Sequence, residues 1–353
     1  MHKKLKKILM NQKYKTLLNE IDKEHNTHRV RNSKVLFVDG LNTFFRCWST
    51  NPTMNEDGEH VGGVVGFLKS LGMVIRNENP SRVVVVFDGK GGSQKRRQTF
   101  SNYKADRKVK FRVNRQYDDM MSEEDEQVSL KRQISWLGNI LSILPITTMV
   151  YDNIEADDVI GYLSKQVITE EENGLILSSD KDFLQLVSDN INVWNPLKKE
   201  KITKQRLIEL YGIHPENFIW YRVLDGDKSD NIDGVKGCGL KTLQKRLPIL
   251  ESENRLSVDE LIKIADEQKN DYKVFKTIVD SKSIIERNFD LMQLENPDIS
   301  GTTKLKIIEK FREENEPLDK MKFIGFGMKY KILQNWTDVN DWLRSSFGNL
   351  ILK

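Results

Sequence analysis

The sequence has 353 residues, 38% hydrophobic and 31% charged, with a formal net charge of +4. That is enough chain for one large domain or two ordinary ones, each built on a real core. No apolar run approaches the length of a membrane span, and the lysine-rich start MHKKLKKILMNQKYK has too short an apolar stretch for a secretory leader. Two cysteines, Cys47 and Cys238, argue against a disulfide framework and fit a reducing compartment. A soluble protein of cytoplasmic type is expected.

In chain order, five short apolar runs read as buried strands: VLFVDG (35–40), VVVVFDG (83–89), ITTMVY (146–151), LILSSD (175–180) and INVWNP (191–196). Helix-compatible segments at about 61–77, 124–144 and 155–170 separate them. Alternation of this kind predicts an α/β fold, with a mostly parallel sheet flanked by helices. The stretch 90–123 does not fit such a sheet. Residues 90–115 hold ten Lys/Arg against one acid, and 118–126 holds six acids and no base. A basic run so dense suits either a polyanion partner or a solvated helix face. After residue 200 the strand signal stops. ITKQRLIELYG (202–212), with Thr203 as N-cap, opens a helical region that runs through the polar tail 251–353.

Ligands of open parallel sheets bind at the carboxyl ends of the strands. Here Asp39 ends the first strand and Asp88 the second. Glu155, Asp157 and Asp158 follow the third, and Asp180 and Asp182 follow the fourth. Asp227 and Asp230, three apart in GDKSD, would share one side of a helical turn. A lone aspartate at a strand end serves as turn former or helix cap. Seven or more in one crevice are different, since two carboxylates about 4 Å apart repel by roughly 4 kcal/mol at an effective dielectric near 20. An oxygen-only set without His or Cys points to Mg²⁺ or Mn²⁺ rather than zinc. Two such ions roughly 3.5–4 Å apart would form a clamp for phosphodiester hydrolysis. Directly after these acids, GVKGCGLKT (234–242) supplies small residues and Lys241, a turn whose amides can approach a phosphate.

Together the stretches VDGLNTFFR, VVVFDGKGGSQKRRQTFSNYKADR, IEADDVIGYL, SSDKDFLQLV and VLDGDKSDNIDGVKGCGLKT, spanning about 35–245, resemble the 5′-nuclease (flap endonuclease) superfamily. The length and the tail FIGFGMKYKILQNWTDVNDWL are most similar to the T-even phage RNase H group. The resemblance implies a PIN-like nuclease domain at 31–200 with a helical arch at about 90–130. A basic extension at 1–30 would precede it. A helical DNA-binding domain at 201–353 would follow, with a helix–hairpin–helix at about 223–247.

By resemblance, Asp88, Asp157, Asp158 and Asp180 would hold one ion, with Glu155 acting through water. Asp182, Asp227 and Asp230 would hold a second, and Asp39 would stand beside or behind them. Lys104 and Arg97 would contact the scissile phosphate, with Arg96 and Arg107 nearby and Tyr103 either stacking on a base or packed in the arch. Gly234, Gly237, Gly239, Lys241 and Thr242 would grip duplex backbone, with a K⁺ at the hairpin carbonyls. The implied activity is 5′→3′ exonuclease and flap endonuclease cleavage that removes RNA primers and 5′ flaps, using Mg²⁺ with Mn²⁺ as substitute. The expected protein is a monomer in the host cytoplasm. Branched or nicked DNA and RNA–DNA hybrid are its substrates, and a sliding clamp or single-strand-binding protein is a partner. Rival readings are a single-strand RNase of the PIN class, whose domains are shorter, and a non-catalytic binder of branched DNA.

Overall fold

The computed structural model describes residues 34–105 and 122–350. The extension 1–30, Arg107 and the middle of the expected arch lie outside them. Strands β1 (Lys34–Asp39), β2 (Arg82–Asp88), β3 (Thr147–Tyr151), β4 (Asn173–Leu177), β5 (Ile191–Asn195) and β6 (Glu200–Ile202) form one sheet. The order is β3-β2-β1-β4-β5-β6. All pairs are parallel except β5 with β6. The chain moves outward from β1 to β2 and β3, then returns to β4 on the other side. The connections therefore diverge between β1 and β4, the place where open sheets leave a crevice.

The strands read as continuous apolar runs because both faces are covered. Val35, Phe37, Val84, Val86 and Ile176 enter one core. Their strand neighbours Leu36, Val38, Val83, Val85, Leu175 and Leu177 enter the other. The period-two alternation of side chains sends successive residues to opposite layers.

Helices α1 (Gly40–Thr50), α2 (Gly62–Glu78) and α4 (Glu123–Leu141) supply the second core. Between them in sequence lies the short α3 (Gln94–Thr99). Ser122 and Asp125 form a reciprocal capping box that starts α4, so part of the acidic run 118–126 is a helix start. The first core is covered by α5 (Ala156–Tyr162), α6 (Lys204–Tyr211), α7 (Phe218–Asp225), α8 (Leu240–Arg246), α9 (Val258–Gln268), α10 (Lys273–Asp280), α11 (Lys282–Met292) and α12 (Gly301–Arg312). Thr203 caps α6 as expected, its side chain accepting from the Arg206 amide.

Two expectations need correction. Strand structure continues past residue 200 as the antiparallel edge strand β6, and again as a two-stranded ribbon, β7 (Gly226–Asp227) with β8 (Ile232–Asp233). These segments are too short and too charged to show a period. The helix expected over 155–170 is α-helical only to Tyr162 and passes into a π turn at Leu163–Val167.

The tail does not form a separate layer. Helices α13 (Lys320–Lys329) and α14 (Val339–Phe347) carry Phe323, Trp336 from the link between them, Trp342 and Phe347 into the same core as α2. Arg76 of α2 donates to the Ser346 hydroxyl at 2.6 Å. Among the described residues no helix is long and apolar enough to cross a membrane. Because Phe347 is fully buried, Phe347→Ala should lower folding stability by about 3–5 kcal/mol, read from the urea midpoint. A shift of under about 1 kcal/mol would show that α14 is an appendage.

Candidate active site

The crevice between β1 and β4 is closed by hydrogen bonds that sequence reading did not reveal. Asp39 caps α1 by accepting from the Asn42 amide at 3.1 Å. Ser178 Oγ donates to Asp39 Oδ2 at 3.1 Å and accepts from the Asp180 amide at the same distance. Asn42 Oδ1 accepts from the amide and hydroxyl of Ser179. The two strand ends are thus tied, and Asp39 and Asp180 face one space. Burial pushes the Asp39 carboxyl up to about 7, and the charges of Asp180 and Asp88 add to the rise against the Asn42 amide. Asp88 accepts from the Ala156 amide at 2.6 Å, which brings the end of β2 to the start of α5.

Asp157 and Asp158 occupy the first turn of α5, and Glu155 is its N-cap residue. Glu155 is buried and accepts from Ser93 Oγ, the Arg96 guanidinium, Lys104 Nζ at 2.8 Å and Tyr103 OH at 3.0 Å. Burial alone would raise its pKa, but Arg96 and Lys104 hold it near about 2. Arg96 also pairs with Asp158 at 2.7 Å and Asp157 at 3.5 Å. Even so, burial pushes both aspartates above the usual carboxylate range.

A second arginine serves the other half of the cluster. Asp180 caps the 3₁₀ turn Lys181–Leu186 through the Asp182 amide. Asp182 and Asp227 both accept from Arg222 of α7 at 2.5 Å. Burial, followed by the Asp180 charge, pushes Asp182 up to about 7 against the Arg222 guanidinium. Burial also acts on Asp227, but Ser229 and Arg222 hold it below the usual value. Asp227 and Asp230 do share one tight turn, 3₁₀ rather than α, at Lys228–Asp230. Arg222 was missed in the sequence. Its signal is a single arginine inside FIWYRVL, a helical run in which every residue is buried.

The root of the expected arch is fixed to the body. Arg96 Nε donates to the Leu291 carbonyl, and the Lys104 amide donates to the Asp230 carbonyl at 3.0 Å. Asn231 reaches the Asn102 carbonyl. Lys104 takes a left-handed φ of 54° to make this turn, which aims its ammonium at Glu155. One expectation changes here, and of two open alternatives the packed one fits. Arg96, expected at nucleic acid, is committed to three carboxylates. Tyr103 is 3% exposed with its hydroxyl on Glu155, so its ring belongs to the packed base of the arch and offers no face for stacking. Arg97 is exposed, donates its Nε to the Tyr103 carbonyl at 3.2 Å and has no carboxylate partner among the described residues.

The glycine turn joins α7 to α8 by way of the ribbon. A side chain on Gly234 would stand 2.3 Å from the Asp225 carbonyl, and Gly237 has a φ of +87° with open space around it. Gly239 is the residue before α8, and Lys241 and Thr242 lie in its first turn.

The donor chemistry suits a hard cation: nine carboxylates, with no His or Cys brought among them. As placed, however, no three such groups among the described residues stand close enough to share an ion. Arg96 and Arg222 draw the carboxylates into ion pairs, so holding a cation requires those side chains to shift.

The family model for the 5′–3′ exonuclease N-terminal resolvase-like domain matches residues 34–212. A 5′–3′ exonuclease of Buchnera aphidicola (Schizaphis graminum subspecies) is 35% identical over 212 residues, covering 59% of this chain and 67% of its own length. A T5 protein co-crystallised with metal ions superposes with a TM-score of 0.58 at 18% identity, over 83% of this chain and 99% of its own. A bacteriophage T5 flap endonuclease in a pseudo-enzyme–product complex with DNA and metal ions gives 0.53 at 17%, over 84% and 97%. At those identities the two structures show the fold.

The raised carboxyls fix the sign of a pH effect. Below the usual aspartate value of 3.8, Asp39 and Asp182 hold a proton whether folded or unfolded. Between there and about 7 only the folded state keeps it. Stability therefore falls as pH rises through that window. Glu155 and Asp227, held low, act in the opposite sense only below the ordinary carboxylate range. In EDTA the melting temperature, taken relative to that of Asp39→Asn/Asp182→Asn, should fall steadily from pH 5 to pH 7, a comparison that removes the opposite trend of His60 and His214, whose pKa burial lowers. A flat or rising profile would contradict this account of the cluster.

Proposed function

The chain belongs to the 5′–3′ exonuclease family, a family of phosphodiester hydrolases, and from that premise we propose that it removes RNA primers and 5′ flaps during DNA replication. It would do so by exonucleolytic and flap-endonucleolytic cuts in RNA–DNA hybrids and in branched or nicked DNA. The observation that carries this reading is that acids at the ends of β1, β2 and β4 act on one another, that Asp88 joins them to the acidic turn after β3, and that Lys104 reaches that turn at Glu155. The T5 flap endonuclease of the same fold, in complex with DNA and metal ions, supports it.

Asp88, Asp157, Asp158 and Asp180, with Glu155 through water, would hold one Mg²⁺. Asp182, Asp227 and Asp230 would hold a second, with Asp39 beside them and Mn²⁺ able to substitute. Bound there, the cations supply a clamp on the phosphate and an activated water. Lys104 exchanges its bond to Glu155 for the scissile phosphate, while Arg97, with no carboxylate partner among the described residues, orients that phosphate from the exposed side. The 5′ strand passes under the arch. Gly234, Gly237, Gly239, Lys241 and Thr242 take the duplex backbone, with K⁺ at the hairpin carbonyls. Because the Asp230 carbonyl accepts from the Lys104 amide, the ribbon sets the distance between grip and cut. The likeness to the T-even RNase H group extends the proposal to a monomer of the host cytoplasm, working beside a single-strand-binding protein or sliding clamp.

A 5′-labelled flap and an RNA–DNA hybrid should each release short 5′ products in Mg²⁺ and none in EDTA. Tight binding without release in either Mg²⁺ or Mn²⁺ would favour a non-catalytic binder. Asp180→Asn should abolish release and leave binding nearly intact. Lys104→Ala should slow cleavage by about 10²–10³-fold with little change in affinity, as for loss of a group that stabilises developing charge. If it weakens binding instead, Lys104 is an affinity contact.

A further inference from the structure

One short stretch behind the carboxylates touches the ribbon, the 3₁₀ turn, α5 and the arch root together. It is the end of α11 with the residues just after it, 287–294, beyond the 34–212 that the family model matches. Asn288 stands at its centre and is fully buried. Its Nδ2 donates to the Val223 carbonyl at 3.1 Å and to the Asp233 carbonyl at 2.9 Å. Its Oδ1 accepts from the Arg287 guanidinium twice, at 3.2 and 2.8 Å. Both amide protons and both lone pairs are thereby used, which gives the side chain one orientation. Val223 lies in the last turn of α7, where a helix leaves carbonyls without intrahelical donors. Asp233 belongs to β8. A single carboxamide therefore joins the two ends of the segment that carries Asp227 and Asp230.

The neighbours of Asn288 reach the remaining segments. The Arg287 guanidinium lies 4.3 Å from the centre of the Phe100 ring at the arch root. The Leu291 carbonyl holds Arg96, the partner of Glu155 and Asp158. Gln185, in the 3₁₀ turn with Asp182, donates to the Met292 carbonyl and accepts from the Leu294 amide, both at 3.0 Å. Gly161 of α5 passes so close to the Leu294 carbonyl that an added Cβ would stand 2.2 Å away. We propose that Asn288 is the positioning residue of the ribbon acids, holding Asp227 and Asp230 in register with the acids of α5 and the 3₁₀ turn. Arg287 locks its amide and links it to the arch root. The proposal rests on the nuclease reading for what those acids do.

The test uses the full-length protein in EDTA, with amide hydrogen exchange read by mass spectrometry. Asn288→Leu keeps nearly the same volume and removes both donors. Peptides covering 226–234 should then exchange about tenfold faster, as expected for the loss of hydrogen bonds in one local unit, while those of β1 and β2 stay unchanged. Arg287→Met should act in the same direction, and it decides the matter if Asn288→Leu does not fold. Arg287→Lys, which keeps a donor and a cation over Phe100, should stay near wild type. Mn²⁺ binding, read from the free-ion EPR signal, should weaken by about 10–100-fold in Asn288→Leu, the range for groups that orient cation ligands from behind. Unchanged ribbon exchange in Asn288→Leu and Arg287→Met would overturn the proposal. So would an equal rise in the ribbon and the sheet, which would make Asn288 a stabilising core residue only. A wild type that binds no Mn²⁺ and cuts no 5′-labelled strand refutes the nuclease, and a rise confined to the ribbon still keeps Asn288 as its holder. One that cuts, with variants whose ribbon and Mn²⁺ binding are unchanged, does the reverse.

Discussion

Mutual repulsion among buried carboxylates is the constraint around which this molecule is built. Asp39, Asp88, Asp180 and Asp182 come from neighbouring strand ends, and burial leaves Asp39 and Asp182 little water beside the charges of the other two. Charges so placed must be protonated, paired or neutralised by cations. The first two solutions are visible. Asp39 and Asp182 titrate near about 7. Arg96 neutralises the Glu155, Asp157 and Asp158 group, and Arg222 the Asp182 and Asp227 pair. Each guanidinium gathers its carboxylates around one positive charge.

The second consequence is mechanical. The segment after β2 is anchored through the Lys104 amide to the Asp230 carbonyl and through Asn231 to the Asn102 carbonyl. Lys104 and the ribbon that carries two of the acids are therefore tied together. From the ribbon the chain runs into the glycine turn and then α8, so the acids of the ribbon and the glycine turn are consecutive in sequence.

Much of this was legible because it is local. An apolar run ending in aspartate announces a buried strand and its functional end within six or seven residues, and the period-two pattern needs no partner to be recognised. The partners of those acids were not legible. Arg96 meets Glu155 across 59 residues, Tyr103 meets it across 52, and Arg222 meets Asp182 across 40. Nothing in a linear pattern distinguishes an arginine that will neutralise carboxylates from one that will face phosphate. Arg96 and Arg97 are adjacent, yet only Arg96 pairs with carboxylates among the described residues. The tail was equally opaque. Trp342 and Phe347 read as helix residues, but only the packing shows that they complete the core of α2. β6 escaped notice because an edge strand of three residues has no period.

Anomalous diffraction from crystals soaked in Mn²⁺ would test the central claim most directly. The account predicts two peaks in the crevice, one among Asp88, Asp157, Asp158 and Asp180 and one among Asp182, Asp227 and Asp230, with Arg96 and Arg222 each drawn off at least one carboxylate oxygen. Full Mn²⁺ exposure with no peak there, and both arginines still in their ion pairs, would contradict it: the cluster would then be a self-neutralised structural network and not a cation site.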